Sequence, residues 1–301
     1  MKIGVTIPNN YGVDDPQQVA SLARLAEDLR FDSVWVMDHL FNAGYIRERL
    51  EDKPYYHPLA TLSYVAALTS HVVLGTSVMV LPYHNAVELA KYVATLDHFS
   101  KGRVILGVGV GSIAEEYAAL GIAMSDRARL ANESVRLMKE LWTNPAPRFE
   151  STRWRFSDVR FSPKPLQKPH PPVWVGGESN GARKRAALLG DGWHPNGLPP
   201  DTYTAGCQEV REMAAAVGRN SATLTMSIRL GVSVVDERPV SSGAEGRARL
   251  TATDTGSMVE SLRAYEEAGA TYAVLGLDSG DVDLLATAMK QIAANVLPAI
   301  R

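Results

Sequence analysis

The dipeptide Asp38-His39 carries the plainest chemical potential in this chain. A histidine can give or take a proton near neutral pH, and an adjacent carboxylate can orient it or cap the following turn. The pair directly follows the apolar run Ser33–Met37, so it sits at the end of a strand. Leu74-Gly75-Thr76-Ser77-Val78-Met79-Val80-Leu81-Pro82 contains small residues. They either admit a planar ligand close to the backbone or belong to a packed strand with a bulge. In Gly102-Arg103-Val104-Ile105-Leu106-Gly107-Val108-Gly109-Val110-Gly111-Ser112, glycines alternate at 107, 109 and 111. That spacing is not the G-x-G-x-x-G of a dinucleotide fold, and no acidic residue follows at the required distance. It reads instead as a strand end stripped of side chains, across which a flat ring and its tail can lie. Val173–Asn180 ends in Gly176-Gly177-Glu178-Ser179-Asn180 and leads into a helix bearing Arg183, Lys184 and Arg185. Backbone N–H groups at such a helix start attract anions. Ser179 or Asn180 caps that helix or bonds a phosphate, and the basic run either assists or is a solvated face.

Other chemistries lack their residues. His57, His71, His84, His98, His170 and His194 are scattered, with no H-E-x-x-H and no H-x-H pair. His71 and His98 read as structural, and His84 and His194, which follow strand ends, as weaker pocket candidates. No G-x-S-x-G elbow is present. Cys207, the one cysteine, cannot form an internal disulfide and reads as structural or surface rather than nucleophilic. The formal net charge of -2 argues against a nucleic-acid partner. No apolar stretch reaches bilayer-spanning length, and Ile3-Gly4-Val5-Thr6-Ile7 is a strand rather than a leader. A cytoplasmic protein acting on a small molecule is the expectation.

The elements that must position these residues alternate regularly. Strands are expected at Lys2–Pro8, Ser33–Met37, Val72–Leu81, Arg103–Val110, Val173–Gly176, Gly192–His194, Leu224–Val235 and Thr271–Leu277. Several are near-continuous apolar runs, as in parallel strands covered on both faces. Between them lie helical segments at Pro16–Arg30, Pro58–Thr69, Ala86–His98, Asp126–Trp142, Gly181–Leu189, Asp201–Val217, Ser257–Ala268 and Asp281–Val296. In the first, Val19, Leu22, Ala23, Ala26 and Leu29 share one face, Pro16 opens the first turn, and Asp15 or Asp14 caps it. Eight strands each followed by a helix predict an α/β fold, a single (β/α)8 TIM barrel over residues 1–301. A doubly wound sheet shares the pattern up to the sixth strand. Three stretches interrupt it, after strands 2, 4 and 7: Phe41–His57; Pro145–Pro172, with a hairpin expected in Phe149–Phe161; and Glu237–Gly256, whose composition predicts flexibility. Those after strands 2 and 7 fall on the catalytic face of a barrel.

Taken in order, Phe31–His39, Leu74–Val78, Gly102–Gly109, Val175-Gly176-Gly177 and Gly190-Asp191-Gly192-Trp193 make the chain resemble the luciferase-like flavin and deazaflavin oxidoreductases. The resemblance runs from Ile3 to about Leu277. It implies a (β/α)8 barrel with coenzyme F420 or FMN at the C-terminal face. F420-dependent glucose-6-phosphate dehydrogenases of this family carry Asp-His at the second strand, and His39 matches their catalytic histidine. The Ser77–Val78 peptide would be a non-prolyl cis bond against the central ring, and Gly176 and Gly177 would meet phosphate. The resemblance thus implies His39 and Asp38 as catalytic. Ser77, Val78, Gly107, Gly109, Ser112, Gly176, Gly177 and Ser179 are the expected cofactor-binding set. Two positions depart from the sugar-phosphate dehydrogenases. Ser112 stands where they have a glutamate acid, and Leu40-Phe41-Asn42-Ala43-Gly44 lacks their tryptophan. Methylene-tetrahydromethanopterin reductases are relatives too, but nothing singles out a pterin. The family often dimerises, so a homodimer is expected.

Two activities follow from the resemblance. The favoured one, from the closeness of Leu74–Val78 and Val104–Gly109 to the deazaflavin enzymes, is F420-dependent hydride transfer to or from a small organic substrate, with Tyr45, Tyr55 or Tyr56 as walls. The other is an FMN-dependent monooxygenase fed reduced flavin by a partner reductase. A flavin binder without catalysis is a third possibility, kept open by Ser112. A metal-dependent barrel hydrolase fails for want of ligand spacing.

Overall fold

The computed structural model describes residues 1–235 and 247–301. Eight parallel strands close on themselves: β1 (Lys2–Thr6), β2 (Ser33–Val36), β3 (Val73–Thr76), β4 (Val104–Gly109), β5 (Val173–Gly176), β6 (Gly192–His194), β7 (Thr225–Ser233) and β8 (Tyr272–Leu277). Each pairs with its neighbours in sequence, and β8 returns to β1 with Lys2 opposite Tyr272. The fold is the expected (β/α)8 barrel. The third segment is not continuous, however. After Thr76 the chain bulges at a cis Ser77–Val78 peptide, and Met79–Val80 then pairs with the top of β4.

Alternation along each strand divides the side chains between two cores. Ala273, Leu275 and Leu277 of β8 face the helices and join the large outer core, whereas Tyr272 and Val274 fill the barrel. Inside, Trp35 stacks on Trp174 at 5.3 Å, and Tyr272 meets Trp174 edge-on at 5.0 Å. Two indoles fit in one barrel because neighbouring strands give way. A Cβ on Gly75 would lie 2.2 Å from the Trp35 ring, and one on Gly192 would lie 2.7 Å from Trp174. The interior is a packed plug.

Helix α1 (Pro16–Asp28) starts as expected, with the Asp15 carboxylate accepting from Gln17 N at 2.9 Å. The stretch after β2 is more ordered than its composition suggests and contains α2 (Gly44–Leu50), followed by α3 (Pro58–Leu68). Helix α4 (Ala86–Phe99) precedes β4, and α5 (Ala114–Ala119) and α6 (Arg127–Thr143) lie between β4 and β5. The expected hairpin is present, with Phe149 opposite Phe156. Helix α7 (Asn180–Leu189) follows β5. Of the stretch read as flexible after β7, residues 237–246 lie outside the described residues. Arg249–Thr251 adds a short parallel strand beside the upper end of β7. Among the described residues no helix is long and apolar enough to cross a membrane.

Candidate active site

The C-terminal ends of the strands bring together residues that are far apart in sequence. His39, just past β2, is partly buried, and its Nδ1 lies 2.6 Å from Oε2 of Glu116 in α5. The Glu116 carboxylate is fully buried. Its Oε1 also accepts from the backbone N–H of Leu40 (2.8 Å) and Phe41 (3.2 Å). Burial alone would raise the pKa of this acid. The hydrogen bond and charge of His39, with the two backbone donors, outweigh it and hold the carboxyl below its ordinary value. An ionised Glu116 can only accept, so His39 carries its proton on Nδ1 and turns Nε2 outward. There Nε2 meets the Tyr45 hydroxyl at 3.1 Å. Tyr45 and Tyr55 flank the imidazole edge-on, each at 5.9 Å. Burial pushes both phenols up, so both stay protonated donors.

Asp38 points the other way. Its side chain is inaccessible; Oδ2 accepts from Val80 N (2.8 Å) and contacts His84 Nε2 (2.7 Å). It ties the end of β2 to the segment after the bulge and does not reach the mouth. His84, a weaker candidate from sequence, is its partner. Ser112, which departs from the glutamate of the sugar-phosphate dehydrogenases, does not reach His39. Ser112 is exposed, and the carboxylate on His39 comes from Glu116, one turn further on. Sequence reasoning missed Glu116 because Ala114-Glu115-Glu116 is a short acidic run that reads as solvated. Only the Tyr117–Leu120 anchoring behind it marks an inner face.

Of the expected cofactor positions, Ser77, Val78, Gly107, Gly109 and Gly176 gather around the bulge but differ in what they face, whereas Ser112, Gly177 and Ser179 are not shown to contact it. A Cβ on Gly109 would lie 2.6 Å from Val78 Cγ2, one on Gly176 would lie 2.9 Å from Val78 Cγ1, and one on Gly107 would meet Thr76 O at 1.9 Å. Gly107 and Gly109 are buried beneath the bulge, so their bareness makes room for Val78 and Thr76 and not directly for a ring. Val78, half-buried, is the apolar surface that the mouth presents. The Ser77 hydroxyl turns inward to His194 Nε2 at 2.9 Å. His194 Nδ1 in turn meets Ser227 Oγ at 2.8 Å, and Ser227 donates to Trp193 O. With the Ser227 proton so used, His194 donates from Nδ1 and accepts from Ser77. Burial, with the nearby Arg229 charge, drops the His194 pKa to about 3. It is a neutral pillar below the bulge.

Ser179 caps α7, its Oγ accepting from Ala182 N at 3.2 Å. Gly177, at φ +106°, turns the chain into that cap. Two of the three basic residues behind it are spent on structure: Arg183 pairs with Glu209 at 2.6 Å, and buried Arg185 bonds Asn132, while Lys184 is exposed. The anion-binding capacity here is therefore the helix start itself, whose first N–H groups have no intrahelical acceptor.

Comparison with known proteins bears on the family and the fold. The family model described as luciferase-like monooxygenase matches residues 1–272. An F420-dependent glucose-6-phosphate dehydrogenase of Kineococcus radiotolerans is 34% identical over 238 residues, 74% of this chain and 66% of that one. An FMNH(2)-dependent dimethylsulfone monooxygenase of Pseudomonas putida is 30% identical over 217 residues, 70% of this chain and 55% of that one. The match thus spans between half and two thirds of the length of these two relatives. An F420-dependent secondary alcohol dehydrogenase, solved with an F420-acetone adduct, superposes with a TM-score of 0.82 at 21% identity, covering 100% of this chain and 99% of that one. With the family model covering nearly its whole length and the barrel closed as that family's is, the chain belongs to the luciferase-like monooxygenase family.

Proposed function

We propose that the protein is an F420-dependent oxidoreductase that moves hydride between the deazaflavin and a small organic substrate at the barrel mouth. The observation that carries this reading is the outward Nε2 of His39, held by the buried Glu116 carboxylate. Hydride transfer at a C–OH/C=O carbon must move a proton at the oxygen, and a base fixed in one tautomer serves that need. The 34% identity to F420-dependent glucose-6-phosphate dehydrogenase supports the same choice.

The residues present fit a tricyclic redox ring with a phosphate-bearing tail. Val78 offers a small apolar face, and the start of α7 after Gly177 offers amides to a phosphate. When bound, the deazaflavin supplies a two-electron hydride donor or acceptor at carbon 5. The chain's own residues do the rest. In the alcohol-oxidising direction, a substrate hydroxyl takes the place of the Tyr45 hydroxyl and donates to His39 Nε2. His39 accepts the proton as the C–H bond breaks, and Glu116 stabilises the imidazolium that forms. In the reducing direction, the imidazolium returns the proton to the carbonyl oxygen. Asp38 and His84 hold the strand end in place, and Ser77 with His194 fixes the floor.

The 30% identity to an FMNH(2)-dependent monooxygenase favours a second reading, reduced FMN with O2 on the same scaffold. Titrating purified protein with F420 and with FMN, and following quenching of cofactor fluorescence, decides between them. Tight binding of F420 with turnover of an alcohol or enone supports the proposal. Micromolar affinity for FMN with none for F420 overturns it.

A further inference from the structure

Around the mouth, the arginines differ in what they meet. Arg249 pairs with Asp278, whose other oxygen accepts from Tyr11 at 2.7 Å. Arg247 lies 3.9 Å from Glu178. Arg49 donates to Asn10 O at 3.0 Å and lies 4.4 Å from the centre of the Tyr11 ring. Arg229 has no acidic partner among the described residues. It sits on β7, in the register that faces into the barrel, with its backbone N–H and C=O bonded to Pro195 O and Gly197 N. Its guanidinium lies flat over Gly276 of β8, where a Cβ would come 2.7 Å from Nη2. Only Nη1 is used, donating to Asn196 Oδ1 at 3.0 Å. Nε is sealed from solvent without an acceptor, and Nη2 has none among the described residues.

A partly desolvated cation without a counter-ion is costly unless an anion completes it. The unpartnered Nε and Nη2 form the edge whose geometry a planar carboxylate matches with two parallel hydrogen bonds. A carboxylate is planar and presents two oxygens side by side, which is the shape that the guanidinium edge matches. Arg229 lies level with the C-terminal ends of the strands, where Nη1 bonds Asn196 just past β6, on the same face of the barrel as His39 just past β2.

The geometry points to Arg229 as the substrate-recognition residue: the mouth takes a small organic carboxylate, its carboxylate on Arg229 and its reacting carbon toward His39. This rests on the mouth being the active site, and it names the substrate class for that site.

The test is calorimetric titration of the full chain with benzoate and with its neutral isostere benzamide, alone and with saturating oxidised F420 or FMN. Benzoate should bind at least about tenfold more tightly than benzamide, the worth of a charged hydrogen-bonded pair. Arg229→Met should remove that preference and leave benzamide affinity unchanged. If circular dichroism shows that this variant does not fold, Arg229→Lys carries the test, with the preference reduced at least about threefold. Equal binding of the two probes, no binding of benzoate in any state, or an unchanged preference in the variants would overturn the assignment. So would Arg229→Met weakening F420 or FMN while sparing benzoate, since the arginine would then serve the cofactor. Benzoate selectivity in a protein that binds neither cofactor keeps the carboxylate site and sinks the redox reading. Cofactor binding without charge selectivity does the reverse.

Discussion

His39 and Glu116 stand 77 residues apart in sequence, yet Nδ1 of one lies 2.6 Å from Oε2 of the other. The acid is fully buried and the base is partly open, so the pair has an inside and an outside. The inner member sets the tautomer, and the outer nitrogen is free for chemistry.

Replacing the inner member tests that division of labour. Glu116→Gln keeps the shape but loses the charge that stabilises the imidazolium. We expect turnover to fall about 10–100-fold, and the affinity for cofactor to stay within about twofold. Stopped-flow rates of cofactor oxidation beside fluorescence titration separate the two. Equal loss in both would make Glu116 a merely structural residue.

The outer nitrogen gives a paired prediction. His39→Ala should slow turnover by about 100-fold to 10,000-fold while leaving cofactor binding intact. Tyr45→Phe should change kcat by less than about threefold, because the Tyr45 hydroxyl only holds the place that a substrate oxygen takes. Steady-state kinetics on both variants checks this; a Tyr45→Phe defect as deep as that of His39→Ala would make the tyrosine the proton donor.

Val78 and Gly109 should be energetically coupled. A methyl on Gly109 meets Val78 Cγ2 at 2.6 Å, so Gly109→Ala should cost about 1–3 kcal/mol by overpacking. Val78→Ala removes the obstructing carbon, and the double variant should recover at least half of that cost. Urea midpoints for the two single variants and the double one complete the cycle. Simple additivity would mean that Gly109 is bare for another reason.

The neutral His194 predicts a pH dependence of stability. Its folded pKa of about 3 lies below the ordinary value of about 6.5, so the unfolded chain binds the proton first as pH falls. Its contribution is complete above pH ~6.5 and is lost progressively down to about 3, at about 1.4 kcal/mol per pH unit. Between pH 7 and 5 the wild type should lose about 2 kcal/mol more than His194→Gln in chemical unfolding. Parallel losses would show that His194 is charged in the fold. Glu116 acts in a lower window: its depressed carboxyl stabilises above the ordinary glutamate pKa of about 4.3, and that contribution fades as pH falls through the folded value.

The barrel was legible because its signals are local. Near-continuous apolar runs such as Val104–Gly109, helical faces such as Val19, Leu22, Ala23 and Ala26, and the Asp15 cap are each set by residues close together in the chain. Asp38-His39 at a strand end was legible for the same reason. Which member does what was not. Asp38 is an internal tie, the acid behind His39 is Glu116, and Arg229 is a lone cation over a glycine. Each of these depends on contacts between segments far apart in the chain. The glycines show the limit most clearly. In the sequence, Gly75, Gly107 and Gly109 announce only that a side chain is missing. The closed barrel decides that Trp35, Thr76 and Val78 fill those spaces, because a missing Cβ is defined by its neighbours and those neighbours come from other strands.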